Sequence, residues 1–75
     1  MPIINVKLIK NVFTDEQKRD MIEKLTNTMV SIEGENMRPV TWVCIEEVNE
    51  GAFGIGGQPM TAADVHALQR GGAAA

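Results

Sequence analysis

A single long helical pattern lies between two strand-like segments, and this order constrains a chain of 75 residues more than any other feature. Ile3 to Ile9 alternate with the period of a strand, and Val40 to Val48 form a second β-rich run. Between them, Thr14 and Gln17 have the spacing of a capping box, and Gly34 suits a left-handed helix end. One helix joining two strands predicts a right-handed β-α-β unit with parallel strands.

The predicted helix has one apolar side, and its apolar residues recur at spacings of three and four over roughly five turns. They are Met21, Ile22, Leu25, Met29 and Ile32. A helix of this kind covers one face of a two-stranded sheet and leaves the other face bare. The bare face is expected to carry Trp42, Cys44, Ile3 and Ile9, or their neighbours if the register is reversed. Because a bare apolar face needs a cover, we expect a second copy of the chain to supply it in a homo-oligomer.

The segment "GAFGIGG" places four glycines among seven residues and predicts a tight, short hairpin after the second strand. It does not match a phosphate-binding loop, because no Lys-Ser/Thr pair follows it. A hairpin tip normally carries polar residues, but this one holds Phe53 and Ile55. We therefore expect both side chains to pack on a neighbouring subunit or on a pocket.

The sequence predicts one domain over residues 1–60 and a tail over residues 61–75. Thr61 and Asp64 have capping-box spacing, which favours a short helix in the tail. The final "GGAAA" is expected to be a disordered end or a remnant of cloning. His66 is expected to be a surface residue of this tail, whereas Cys44, in mid-strand, is expected to be a small buried hydrophobe.

Charge and composition exclude several function classes. The net charge is −3, the isoelectric point is about 4.9 and the cations form no stripe, so no nucleic-acid partner is expected. No apolar run approaches the roughly 20 residues of a membrane span, and no signal peptide is evident, so we expect a cytoplasmic protein with no membrane partner. One cysteine and one histidine cannot form a structural zinc site, and no metal or organic cofactor is expected.

Pro2 is open to two interpretations. Proline cannot donate to a strand ladder, so the first residue of a strand is one of the few places where a sheet tolerates it. The second interpretation is chemical. If Met1 is removed, the nitrogen of Pro2 becomes a secondary amine with a free lone pair, which can move protons without a cofactor.

The ordered set "MPIINVKLI", "TDEQKR", a strand ending in "EE", and "FGIGG" resembles the 4-oxalocrotonate tautomerase family. The resemblance runs from Pro2 to about Gly57, some three quarters of the chain. It implies a β-α-β fold assembled as a trimer of dimers. It also implies that Pro2 is the catalytic base and that Phe53 is the phenylalanine that walls the site.

The chain departs from the family at two positions and differs from related dehalogenases at a third. Val12 or Phe13 occupies the place of the first catalytic arginine, in a loop one residue longer, and Trp42 occupies the place of the second. Ile55 stands where related chloroacrylate dehalogenases carry a water-activating glutamate. The chain is thus expected to be an atypical member without both family arginines, and these differences disfavour both dicarboxylate muconate chemistry and hydrolytic dehalogenation.

The predicted function is a cofactor-independent tautomerase with Pro2 as general base, acting on a small keto–enol or unsaturated carbonyl substrate. Trp42, Phe53 and Ile55 would form an apolar wall that lowers the pKa of the amine by disfavouring its charged form.

The developing enolate oxygen needs donors or positive charge. The candidates are the hairpin amides, Lys10, Arg38 and the indole N–H of Trp42. The alternative functions are a non-catalytic oligomeric scaffold of the same fold, which keeps the architecture without the arginines, and a hydratase- or dehalogenase-like relative.

Overall fold

A computed structural model describes residues 1–71 of the chain. Residues 72–75, which include most of the predicted disordered end, lie outside the described part. The elements in chain order are β1 (Ile3–Ile9), α1 (Asp15–Glu33), a short 3-10 helix (Glu35–Val40), β2 (Trp42–Val48), β3 (Gly54–Ile55), β4 (Gln58–Pro59) and α2 (Ala62–Gln69). Strands β1 and β2 form one sheet, and β3 and β4 form a second.

Strands β1 and β2 run parallel, as the sequence predicts. At their beginnings, the Trp42 N–H donates to the carbonyl of Pro2 at 3.1 Å. Near their ends, the Lys10 N–H donates to the carbonyl of Val48 at 2.8 Å. Since the start of one strand pairs with the start of the other, α1 is the crossover of a β-α-β unit.

The predicted capping box starts α1. The Thr14 hydroxyl accepts from the Gln17 N–H at 3.1 Å, and the Gln17 side chain accepts from the Thr14 N–H at 2.9 Å. At the other end, the Gly34 N–H donates to Val30 at 2.8 Å. Gly34 has φ 106° and ψ 150°, so the positive φ is confirmed, but the left-handed helical cap is wrong because ψ is extended.

The buried side of α1 differs from the predicted stripe at two positions. Val30 is the buried residue of the helix, whereas Ile32 is 77% exposed. Residues two apart on a helix differ by about 200° in direction, so Val30 and Ile32 point to nearly opposite sides. Met21, Leu25 and Met29 are half-buried, in agreement with the predicted stripe, whereas Ile22 is 40% exposed and also departs from it.

Strand β2 begins at Trp42 rather than at the predicted Val40, because Val40 ends the 3-10 helix. The Thr41 N–H donates to the carbonyl of Arg38 at 3.2 Å, which closes the last 3-10 turn. Pro39 lies inside this helix, and its fixed φ suits the turn better than a ladder that requires its N–H.

Burial alternates along β1 and β2. Ile4, Val6, Val43 and Ile45 are half-buried, whereas Ile3, Asn5, Trp42 and Cys44 are exposed. The alternation confirms that one face of the sheet is bare in the single chain. The expected burial of Cys44 is wrong for the single chain, because Cys44 lies on that bare face.

The described chain falls into two compact units, one of residues 1–6 and 14–46, the other of residues 7–13 with Glu47 onward. The core of the second unit is a cluster of four buried side chains: Ile9, Val12, Met60 and Ala62. Phe13, Phe53 and Val65 pack against it. Ile9 therefore departs from the prediction that it lies on the bare face. Residues of the chain's own tail cover it.

The tail forms the predicted short helix. The Thr61 hydroxyl accepts from the Asp64 N–H at 3.2 Å, and the Asp64 carboxylate accepts from the Thr61 N–H at 3.0 Å. This reciprocal box starts α2, which runs to Gln69. Over residues 1–71, no helix has the length and apolar character needed to cross a membrane.

Candidate active site

Pro2 and Trp42 lie next to each other at the beginnings of the two parallel strands. The bond from the Trp42 N–H to the Pro2 carbonyl holds the backbone of Pro2 in place. Pro2 is half-buried, whereas Met1 is 68% exposed and Trp42 is 54% exposed. Because proline has no N–H, the strand begins here without leaving a donor unsatisfied.

The glycine segment forms the predicted hairpin. Gly54 pairs with Pro59 and Ile55 with Gln58, which leaves a two-residue turn at Gly56 and Gly57. Both turn residues have positive φ, 58° and 83°, as a type I′ turn requires. Residues that carry a side chain rarely adopt a positive φ, so the turn explains why glycine occupies both positions.

The hairpin separates the two apolar side chains that the sequence grouped together. Phe53 is half-buried and packs against the cluster of Ile9, Val12, Met60 and Ala62, and its carbonyl accepts from the Met60 N–H at 2.7 Å. Ile55 is 59% exposed. In the single chain Phe53 is therefore anchored, and Ile55 is free to contact another molecule.

A shallow cavity of about 350 Å³ lies beside Phe53. Its lining residues are Lys7, Val48, Ala52, Phe53 and Gly54. Lys7 is not among the site residues predicted from the sequence. The alternation along β1 does place Lys7 on the exposed side of the strand. This position alone did not indicate a binding role, because an exposed lysine on a strand usually faces solvent.

Two cations proposed from the sequence have different surroundings. Arg38 donates to Glu35 at 2.6 and 3.2 Å and to Asn27 at 2.9 Å. The hydrogen bond with Glu35 raises the pKa of Arg38 and lowers the pKa of Glu35. Lys10 is exposed, and its backbone N–H completes the strand ladder. Neither residue lines the cavity beside Phe53.

A larger open concavity, of about 590 Å³, lies along the first turns of α1. Its lining residues are Thr14, Glu16, Gln17, Arg19, Asp20 and Glu23. Three of them are carboxylates and only one is a cation, so this surface would repel an anionic substrate. It offers no aromatic wall, and we do not assign it to the active site.

A hydrogen-bond network fixes the start of α2. The Glu50 carboxylate accepts from the Ala62 N–H at 2.6 Å and from the Asn11 amide at 3.1 Å. Nε2 of His66 lies 3.0 Å from the carbonyl of Val12, and a proton on that nitrogen makes it the donor. The expectation that His66 is a surface residue is thus wrong, because the ring is half-buried and has a partner.

Acidification is expected to loosen α2. The hydrogen bond from Ala62, followed by that from Asn11, lowers the pKa of Glu50 below its usual 4.5. A lowered folded-state pKa gives stability that is present above the unfolded pKa and lost as pH falls through the folded value. Thermal unfolding measured from about pH 6 to about pH 3 should therefore lose less stability in Glu50→Gln than in the wild type, because the variant lacks this titrating group.

The matched control for this measurement is Glu46→Gln, which removes an exposed carboxylate of β2. It leaves in place the bonds that Glu50 accepts from Ala62 and Asn11, so the loss of stability attributed to Glu50 should remain. If Glu50→Gln and the wild type lose stability equally between about pH 6 and about pH 3, Glu50 does not hold α2 through its charge.

Residues 1–71 contain no group of three or more His, Cys, Asp or Glu side chains arranged to hold a metal ion. In one unit, Pro2 precedes β1 and its carbonyl accepts from the backbone N–H of Trp42; in the other unit, Phe53 lies beside a cavity that Lys7 also lines.

Comparison with known proteins identifies the class. Residues 2–63 match the family model described as "Tautomerase enzyme". A probable tautomerase of Dickeya dadantii is 38% identical over 61 residues, which cover 81% of this chain and 90% of the relative. A probable tautomerase of Helicobacter pylori is 37% identical over 60 residues, 77% of this chain and 87% of the relative.

Solved structures agree with this assignment. The crystal structure of apo unFused 4-OT superposes with a TM-score of 0.70 at 41% identity and covers 84% of this chain and 97% of its own. The structure of DmpI from Helicobacter pylori gives a TM-score of 0.65 at 33% identity, and the match covers 92% of this chain and 97% of the DmpI chain. The chain therefore belongs to the tautomerase family and is an isomerase with a mixed α/β fold.

Proposed function

We propose that the chain is a cofactor-independent tautomerase in which Pro2, freed by removal of Met1, is the general base. The observation that carries the proposal is the position of Pro2 at the start of β1, where its carbonyl is fixed by Trp42. The exposure of Met1 leaves the Met1–Pro2 peptide bond accessible to processing. Cleavage of that bond converts an amide nitrogen without basicity into a secondary amine.

The amine is suited to work near neutral pH. Amino-terminal amines have a pKa near 8, and an apolar environment lowers it by disfavouring the ammonium form. The half-burial of Pro2 supplies part of that environment. The amine then removes a proton from the carbon next to a carbonyl, or from an enol hydroxyl, and returns it at another position of the same substrate.

The substrate carries less charge than a muconate. Val12 is buried in the cluster and Phe13 packs against it, so neither residue can bind a carboxylate in the place of an arginine. Trp42 presents an exposed indole instead of a guanidinium. A neutral or monoanionic enol with an aromatic ring fits this surface better, since the ring can stack on an aromatic side chain.

We also propose that the active form is a homo-oligomer, of which a trimer of dimers is one arrangement. Ile3 and Trp42 are exposed on the bare face of the sheet, at 63% and 54%, and Cys44, two residues beyond Trp42 on β2, is exposed as well. In a soluble protein, an apolar face of this kind indicates an interaction surface. A second copy would cover Trp42 and complete the apolar surroundings of Pro2.

The proposal is tested by assaying the processed protein on two enols in parallel. Phenylenolpyruvate, a monoanion with a ring, is expected to be ketonised with a kcat/KM at least tenfold higher than that for 2-hydroxymuconate, a dicarboxylate. Each missing charge-assisted contact is worth about 1.5–3 kcal/mol, which corresponds to tenfold or more. The proposal would be contradicted if the protein ketonised neither of the two enols.

A further inference from the structure

We propose that Lys7 binds the anionic group of the substrate and that Lys7 and Phe53 together form a site for a planar aromatic monoanion. This inference rests on the proposed function, because it names the substrate class of that activity. It replaces Lys10 and Arg38 as the source of positive charge. It follows from the cavity beside Phe53, whose lining contains Lys7 but neither of the other two cations.

The cavity combines the two features that such a ligand needs. Phe53 and Val48 form an apolar wall, and the backbone at Ala52 and Gly54 adds little bulk beside it. The volume of about 350 Å³ lies at the lower end of the range for small-molecule pockets. A single aromatic ring with a short acid side chain fits such a volume, with the ring on Phe53 and the carboxylate at Lys7.

Phe53 is also rigid enough to serve as the wall. It packs against the buried cluster, and its backbone is fixed by the bond from the Met60 N–H. The Gly51 N–H donates in turn to the Met60 carbonyl at 3.0 Å, so the segments on both sides of Phe53 are held together. A preorganised ring loses little entropy when a ligand stacks on it.

The ammonium of Lys7 is available to a ligand. Among the described residues it has no ion pair and no hydrogen bond, whereas Arg38 is engaged by Glu35 and Asn27. Lys24 likewise pairs with Asp20 at 2.9 Å. A ligand carboxylate at Lys7 would therefore form a new charge-assisted bond without displacing an existing partner.

The position of Lys7 also indicates which base would act there. Lys7 follows Pro2 by five residues, and an extended strand such as β1 rises about 3.3 Å per residue, or about 16 Å in total. A small substrate held by Lys7 cannot reach the amine of its own chain across that length. The base at this cavity is therefore the Pro2 of a second copy in the oligomer.

The experiment compares Lys7→Gln with Lys10→Gln, a matched loss of one exposed lysine three residues away. Cinnamate, a planar aromatic monoanion that does not tautomerise, is titrated into the assembled protein and followed by NMR. Wild-type protein should show shifts at Val48 and Phe53. Lys7→Gln should weaken cinnamate binding at least tenfold, while Lys10→Gln should leave it unchanged and Lys7→Arg should largely preserve it.

The kinetic readout distinguishes binding from chemistry. Lys7→Gln should raise the KM for phenylenolpyruvate at least tenfold and change kcat less than threefold. Equal cinnamate affinity in Lys7→Gln and the wild type, or an equal loss in Lys10→Gln, would overturn the inference. If cinnamate binding depends on Lys7 but no form of the protein is active, the proposed function fails while the site stands. If the protein is active and Lys7→Gln has the same KM for phenylenolpyruvate as the wild type, only this inference fails.

Discussion

A chain that keeps Met1 is expected to have a kcat at least about a thousandfold lower than that of the chain that begins at Pro2. In the longer chain the proline nitrogen is part of a peptide bond, so it has no lone pair available for proton transfer. A positioned base typically contributes about 10²–10⁴ in rate, and the expected loss lies in the middle of this range. The chain is short enough for total synthesis, which gives both forms with defined ends.

The control for this comparison is Pro2→Ala in the processed chain. Alanine supplies a primary amine at nearly the same place, so activity should fall only partly. The dependence of kcat/KM on pH should retain one limb from the amine and shift with its new pKa. Full activity of the Met1-retaining form would show that Pro2 is not the base, whatever the other variants do.

Trp42→Arg is expected to shift the ratio of kcat/KM values toward 2-hydroxymuconate, relative to phenylenolpyruvate, by at least tenfold. The guanidinium would supply a charge-assisted bond to the second carboxylate, worth about 1.5–3 kcal/mol, while the loss of the indole would remove a stacking surface for the ring. Trp42 is exposed at the start of β2, so the substitution should not disturb the core.

Trp42→Gln separates the two effects, because it removes the ring without adding charge. It should weaken the use of phenylenolpyruvate without improving the use of the muconate. If Trp42→Arg and Trp42→Gln behave alike toward the dicarboxylate, then Trp42 does not stand in the place of the family arginine. The alignment of β2 with the family would then be at fault.

Local rules determined much of the fold and were visible in the sequence. The capping boxes at Thr14 and Thr61 fix where both helices begin, because each depends on residues only three apart. The errors lie where tertiary packing decides. Val40 is β-branched, as residues in strands often are, but it lies in the 3-10 helix that Pro39 favours. Ile9 was predicted to lie on the bare face, but residues some 50 positions away cover it.

The candidate site was only partly predictable for the same reason. Pro2, Trp42 and Phe53 could be proposed from the sequence because their positions relative to short motifs are fixed. Lys7 could not be proposed in this way, because its proposed role in binding the substrate depends on the hairpin that brings Phe53 beside it. Arg38 is the converse case, because the chain alone does not show that Glu35 and Asn27 engage its guanidinium.

The pairing of Trp42 with Pro2 has a practical consequence for spectroscopy. The chain has one tryptophan and no tyrosine, so its near-ultraviolet emission arises almost entirely from this indole. In the single chain the ring is more than half exposed, and its emission should lie toward the red. Covering by another subunit would move the emission toward the blue, and an aromatic ligand stacked on the ring would quench it. The protein thus carries its own fluorophore at the place where assembly and ligand binding are proposed to meet.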